Sequence, residues 1–216
     1  MNRRHLLQAA ACAPALAAVT TAHADLYVDY FRAVNIDYAG GVRNALNRGL
    51  DPNTLSEHGQ CALYLAIRED CPKVIDLLID WPGIQLDLAN AAGETPLMMA
   101  ALKGNTALMA RLLDKGVPVS KAGWTPLHYA ATGKSVDAVR LLLARGAPID
   151  ARAPNGNTPL MMAARYGDEA SVRLLVAQGA DLHARNARDQ DVLAYATGAD
   201  REWMEKVLAQ LAKSAR

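Results

Sequence analysis

Few residues of this 216-residue chain are of types that do chemistry: three cysteines, five histidines and a modest set of carboxylates. Their spacing assembles no familiar constellation. No two histidines have metal-ligand spacing, and no Cys-x-x-Cys occurs. Serine nucleophiles, phosphate loops and zinc proteases would show Gly-x-Ser-x-Gly, a glycine-rich cradle or His-Glu-x-x-His, and none is found. Asp168 and Glu169 are adjacent carboxylates, but at the start of a predicted helix they suit its dipole better than acid–base work. Met98-Met99 and Met161-Met162 offer soft sulfur, yet adaptable side chains among alanines and leucines read as packing. No catalytic residue, cofactor site or metal site is expected.

The thiols give a similar answer. Cys61 and Cys71 bracket one predicted helix, and about eight residues at 1.5 Å each already part its ends by roughly 12 Å. A disulfide needs α-carbons within about 7 Å. Two reduced thiols are expected, or an exposed Cys71 able to pair with another chain.

The first 24 residues, MNRRHLLQAAACAPALAAVTTAHA, differ in kind from the rest. A basic start, a short apolar middle and an Ala22-His23-Ala24 exit read as a cleavable secretory signal cut after Ala24. Arg3-Arg4-His5-Leu6-Leu7 also resembles a twin-arginine export motif, though two arginines equally suit an ordinary basic start. Pro14 and the short apolar run speak against a stable membrane anchor. A lipid-attachment reading of Cys12 fits poorly, with Ala9 where leucine is usual. The expected compartment is the periplasm. Cleavage would remove His5, His23 and two arginines, leaving 21 basic against 22 acidic residues, near −1. So balanced a chain makes no electrostatic case for nucleic acid.

The elements that must position these residues repeat. TPLMMAALKGN at 95, TPLHYAATGKS at 125 and TPLMMAARYGD at 158 share a pattern, with looser copies CALYLAIREDC at 61 and DVLAYATGADR at 191. Each precedes a second apolar run such as AVRLLLARG. The starts are about 33 residues apart, and DYFRAVNIDYAGGVRNALNRGLDPN supplies a sixth, degenerate unit. Thr-Pro suits a helix start, with threonine capping and proline at the first position. Gly116, Gly146 and Gly179 suit the left-handed residue that closes the second helix. Gly93, Gly123 and Gly156 suit the tight turn between units. Only 5% of residues are aromatic while 51% are hydrophobic, so thin helices must stack closely on Ala, Leu, Val and Met.

Thr-Pro-Leu-His-x-Ala-Ala, a leucine triplet ending in Gly-Ala and this period resemble the ankyrin repeat. The resemblance covers about residues 25–216. It implies an all-α ankyrin repeat solenoid of six helix-turn-helix repeats with projecting hairpin turns, at about 25–57, 58–91, 92–121, 122–154, 155–187 and 188–216. Cys61-Ala62 and Asp191-Val192 depart from Thr-Pro, the third unit's turn is three residues short, and DWPGIQLDLAN carries one extra. His128, the histidine of the motif, is implied to be a structural hydrogen-bonding residue.

The resemblance also places the residue before Thr-Pro on the concave face. Gln60, Glu94, Asn157 and Gln190 are polar there, and Trp124 is the exception. A solvated indole invites a cover, unless it packs over its own short turn. The carried-over face also holds Arg68, Glu69, Leu102, Lys103, Thr132, Arg165 and Tyr166. Arg165 and Tyr166 stand one repeat from Trp124, roughly 10 Å away, and Trp, Tyr and Arg are enriched in hot spots. The expected partner-binding centre is Trp124, Arg165 and Tyr166, rimmed by Glu94 and Lys103. The expected function is non-enzymatic binding of one folded protein by a cofactor-free monomer. Within it stand an inhibitor or immunity protein for a periplasm-active toxin or hydrolase, and alternatively a protective or assembly factor for a periplasmic enzyme, for example in oxidative-stress defence.

Overall fold

A computed structural model describes residues 13–196 and 206–211, with side chains from residue 24 onward. Arg3 to Leu7 and Cys12 lie outside the described residues. Eleven named helices follow one another, and no strand occurs among the described residues. They are α1 (Ala13–Asn35), α2 (Ala39–Asn47), α3 (Ala62–Arg68), α4 (Pro72–Ile79), α5 (Pro96–Lys103) and α6 (Thr106–Asp114). Then come α7 (Pro126–Thr132), α8 (Val136–Ala144), α9 (Pro159–Tyr166), α10 (Glu169–Ala177) and α11 (Val192–Ala196). Residues 206–211 are also helical. The chain divides into two compact units, Met1–Ile84 and Gln85–Arg216.

In the first unit, α1 packs on α2 and α3, and α2 and α3 both pack on α4. Helix α1 continues without a break through Ala24. Tyr30, Val34, Val42, Leu63, Val74 and Leu78 form the centre of its core. Cys61 takes the capping position of α3 without a side-chain hydrogen bond to the helix, as expected where a thiol replaces threonine. Cys61 and Cys71 are reduced thiols, not joined in a disulfide, and both are buried. Cys71 is only 3% exposed, which corrects the expectation of an exposed thiol. It caps α4 beneath the preceding turn, and burial pushes its pKa up, so it is a poor nucleophile.

The second unit has two helix layers. Helices α5, α7, α9 and α11 stack side by side as an inner layer, with α6, α8 and α10 as the outer one. The cause is legible residue by residue. Thr95, Thr125 and Thr158 each accept a hydrogen bond from the backbone N–H three residues on, and proline follows each in the first helical turn. Ala100-Ala101, Ala130-Ala131 and Ala163-Ala164 are fully buried, and their small side chains let the inner helices approach closely. Leu97, Leu112, Leu127, Leu142, Leu160 and Leu175 are equally buried, each stabilising by about 1.5–3 kcal/mol. Gly116, Gly146 and Gly179 end the outer helices at φ of 88°, 82° and 91°, the left-handed region expected of them. Met98, Met99 and Met161 are buried in the core. Asp168 caps α10 by accepting from Ser171 N at 2.7 Å, and Glu169 binds Arg173 one turn on.

The hairpin turns between pairs are tied laterally. Asn90 Oδ1 accepts from the backbone of Ala92 and Glu94, and Asn186 Oδ1 does the same for Arg188 and Gln190. Lys121 Nζ donates to the carbonyl of Gly93 at 2.7 Å, and Arg152 reaches the carbonyl of Arg185. These bonds hold the residues before each Thr-Pro in register with the inner helices behind them.

Candidate functional site

The residues that could meet a partner lie in the second unit, along the inner helices and the turns that lead into them. Trp124 enters α7 just ahead of the Thr125 cap. It is half-buried, with its ring edge-on to the His128 ring at 5.3 Å between centroids and 79° between planes. Its indole is therefore only partly presented to solvent. Together with Leu102, His128, Tyr129, Thr132 and Met162 it walls a cavity of about 220 Å³. Those residues recur at matching places. Tyr129 and Met162 are the fourth residues of their helices, and Leu102 and Thr132 the seventh, one helical turn further along one face.

His128 is the polar centre behind that wall and is completely buried. Its Nδ1 lies 3.2 Å from Thr125 N and 2.8 Å from Thr125 Oγ1, and its Nε2 lies 3.0 Å from the carbonyl oxygen of Asn157. A carbonyl only accepts, so Nε2 carries the proton and Nδ1 accepts from Thr125. That is a neutral imidazole, and burial holds its pKa below the ordinary histidine value against the opposing influence of hydrogen bonding to the backbone of Asn157 and Ala151. His128 has no free nitrogen to act as a base, which agrees with a structural role.

The same chain of bonds relocates Asn157. Expected as a presented polar residue, it is 1% exposed. Asn186 Nδ2 donates to its Oδ1 at 3.0 Å, so it joins two neighbouring turns from within and is not available to a partner. Glu94 is half-buried: Tyr129 Oη donates to Oε1 at 2.7 Å and Asn90 Nδ2 to Oε2 at 2.8 Å. Lys103 is exposed at the end of α5.

Arg165 and Tyr166 belong to a second cluster, completed by Tyr195 of α11. Arg165 Nη1 donates to the Tyr195 carbonyl at 2.7 Å and Nε to Tyr166 Oη at 3.1 Å. Its guanidinium lies 5.0 Å from the Tyr195 ring centre and 5.5 Å from that of Tyr166. Tyr166 remains 44% exposed. The Tyr195 hydroxyl hydrogen bond, then Arg165, lower the Tyr166 pKa, while burial raises that of Tyr195. The expected single centre is thus two adjoining groups: Trp124 with its cavity, and Arg165 with its two tyrosines. Met162 lines the cavity and shares a helix face with Arg165. Sequence reasoning missed Tyr129, Met162 and Tyr195, although the register of TPLHYAAT, TPLMMAAR and DVLAYATG aligns all three.

Replacing Arg165 with alanine removes two charge-assisted bonds and two partly exposed cation–π contacts. A stability loss of about 1–2 kcal/mol is expected in urea unfolding. A spectrophotometric titration should also show the Tyr166 phenol moving up in pKa. An unchanged midpoint would mean that the guanidinium does not clamp α9 to α11.

Comparison with known proteins places the repeats. Residues 82–153 match a family model of ankyrin repeats in three copies, and residues 155–187 match the single ankyrin repeat model. The chain is 32% identical over 123 residues to the B-cell lymphoma 3 protein homolog of Mus musculus, across 54% of this chain and 28% of that protein. It is 31% identical over 121 residues to neurogenic locus notch homolog protein 2 of Homo sapiens, across 55% of this chain and 5% of that one. The chain thus spans less than a third of these relatives' length. Among solved structures, the ankyrin repeat domain of Bcl-3, a unique member of the IkappaB protein family, matches with a TM-score of 0.66 at 29% identity. That match covers 83% of this chain and 81% of the other.

Proposed function

The chain is an ankyrin repeat protein, a fold that generally serves protein–protein interaction without catalysis, and from that premise we propose that it is a non-enzymatic module binding one folded protein. The binding surface is the inner-helix face of the second unit, and the leader reading puts the protein in the periplasm. The observation that carries this is the apolar cavity beside Trp124, set next to the half-exposed Arg165 and Tyr166 on a rigid, hydrogen-bonded frame. A surface already ordered before binding loses little entropy when a partner docks. Its role is to inhibit a periplasm-active toxin or hydrolase. The alternative, protecting or assembling a periplasmic enzyme, differs in the sign of the effect on the partner.

The test begins with a photo-crosslinking residue at the exposed position 103, beside the cavity, in the exported chain, followed by purification of the captured protein. Trp124→Ala is expected to weaken its binding by roughly 30-fold, as for a hot-spot residue. Equal affinity for the triple variant Trp124→Ala, Arg165→Ala, Tyr166→Ala would refute the surface. Stoichiometric loss of the partner's activity supports inhibition, and a gain in activity or lifetime supports protection. Cell fractionation tests the compartment.

A further inference from the structure

The cavity beside Trp124 constrains what can enter it. Its walls are almost wholly side-chain carbon, and apart from the Trp124 N–H their polar side-chain atoms are already engaged. Both His128 nitrogens are bound, Thr132 Oγ1 donates to the His128 carbonyl at 2.9 Å, and Tyr129 Oη donates to Glu94. Trp124 Nε1–H has no hydrogen-bond partner among the described residues. A water needs two to four polar partners to be held firmly. Water in this cavity is therefore loosely bound, and an apolar group displaces it favourably. At about 220 Å³ the space suits one large apolar side chain. A peptide carbonyl beside that side chain would give the indole N–H an acceptor.

The charges at its edge add a second constraint. Lys134 follows the residue that closes α7, and Arg165 stands in the last turn of the neighbouring α9. Lys134 is exposed and forms no ion pair among the described residues. Arg165 is bound by the Tyr195 carbonyl and the Tyr166 hydroxyl and forms no ion pair among the described residues. The nearby carboxylates are already engaged: Glu94 accepts from Tyr129 and Asn90, Asp168 caps α10, and Asp137 and Glu169 pair with Arg140 and Arg173 on their own helices.

We infer that this cavity seats a single large apolar side chain from an acidic segment of the partner protein, whose flanking carboxylates pair with Lys134 and Arg165. The inference rests on the interaction reading above and names the chemistry of the partner. Leucine, methionine or phenylalanine fills the cavity, the neighbouring backbone carbonyl accepts from Trp124 Nε1, and acidic residues on either side meet Lys134 and Arg165.

The test uses fluorescently labelled short peptides with the full exported chain. One set has a central Leu, Met or Phe flanked by Asp and Glu, a second replaces the flanks with Lys, and a third keeps the acids but has a central Gly. The acidic, apolar-centred set is expected to bind about tenfold tighter than either control and to weaken in about 0.5 M salt. Lys134→Glu, an exposed substitution that leaves the core untouched, should cost roughly fivefold. Thr132→Trp, which fills the cavity, should abolish binding. Equal binding by glycine-centred or lysine-flanked peptides, or binding by none, overturns the inference. A crosslinked partner that is lost in the triple variant but indifferent to Lys134→Glu and Thr132→Trp overturns it too, while leaving the interaction module standing.

Discussion

Gly133→Ala is expected to destabilise the second unit by more than about 3 kcal/mol, the upper range for forcing atoms into a packed interior. Gly133 closes α7 at φ −77°, which any residue can adopt. The penalty is spatial. An added Cβ would lie 2.8 Å from the carbonyl carbon and 3.0 Å from the Cα of Leu102, and closer still to its carbonyl oxygen. The obstacle is backbone at the end of a neighbouring stacked helix, so no side-chain rotation relieves it. Gly167 meets the Ala131 carbonyl in the same way one repeat on. Gly146→Ala is the control. Nothing lies within 4 Å of its added Cβ, but its φ is 82°, and the left-handed backbone costs about 1–2 kcal/mol. Urea unfolding of the two variants side by side decides the matter. Equal losses would show that the inner helices are not held at backbone contact.

The second large effect is expected at His128. Leucine keeps much of the volume but leaves the Thr125 N–H without an acceptor and removes one of two bonds to the Asn157 carbonyl, which also accepts from Ala153 N. A loss of about 2–3 kcal/mol follows. The pH dependence separates this from a simple packing defect. In the unfolded chain the imidazole takes a proton near the ordinary histidine value of 6.5, whereas in the folded protein burial delays protonation to lower pH. The unfolded state therefore binds more protons in that window, and stability falls as pH drops through it. The contribution is fully present above about pH 6.5 and is lost as pH falls through the lowered folded value. The gap between wild type and His128→Leu should narrow as pH is taken from neutral into the mildly acid range. A gap that stayed constant with pH would mean that His128 is not buried neutral.

Binding function and stability share this residue. His128 supports the Trp124 ring on one side and ties α7 to the next turn through Asn157 on the other. A partner that covers Trp124 also covers the approach to this network. Affinity losses in His128 variants therefore need to be read beside their unfolding curves.

What the sequence by itself determined was the local grammar. Thr-Pro starts, glycine stops and paired alanines act through capping, backbone freedom and side-chain size, all of which operate within a few residues of chain. Repetition then multiplies a weak local signal until helix pairing and stacking follow from it. The candidate face was legible to the same degree, since Trp124, Leu102, Lys103, Thr132, Arg165 and Tyr166 follow from register.

Tertiary structure decided which of those residues remain available. Asn157 and Glu94 occupy equivalent places in the repeat, yet Asn157 is sealed between turns by His128 and Asn186, and Glu94 is held by a tyrosine 35 residues away. Cys71 was open to either reading until the preceding turn closed over it. Trp124 was drawn onto His128, and Arg165 was turned toward Tyr195 in the following repeat. Each outcome depends on contacts between neighbouring repeats. Position within a repeat is written in a dozen residues, but whether a side chain meets solvent or a neighbour depends on the identities one period before and after it.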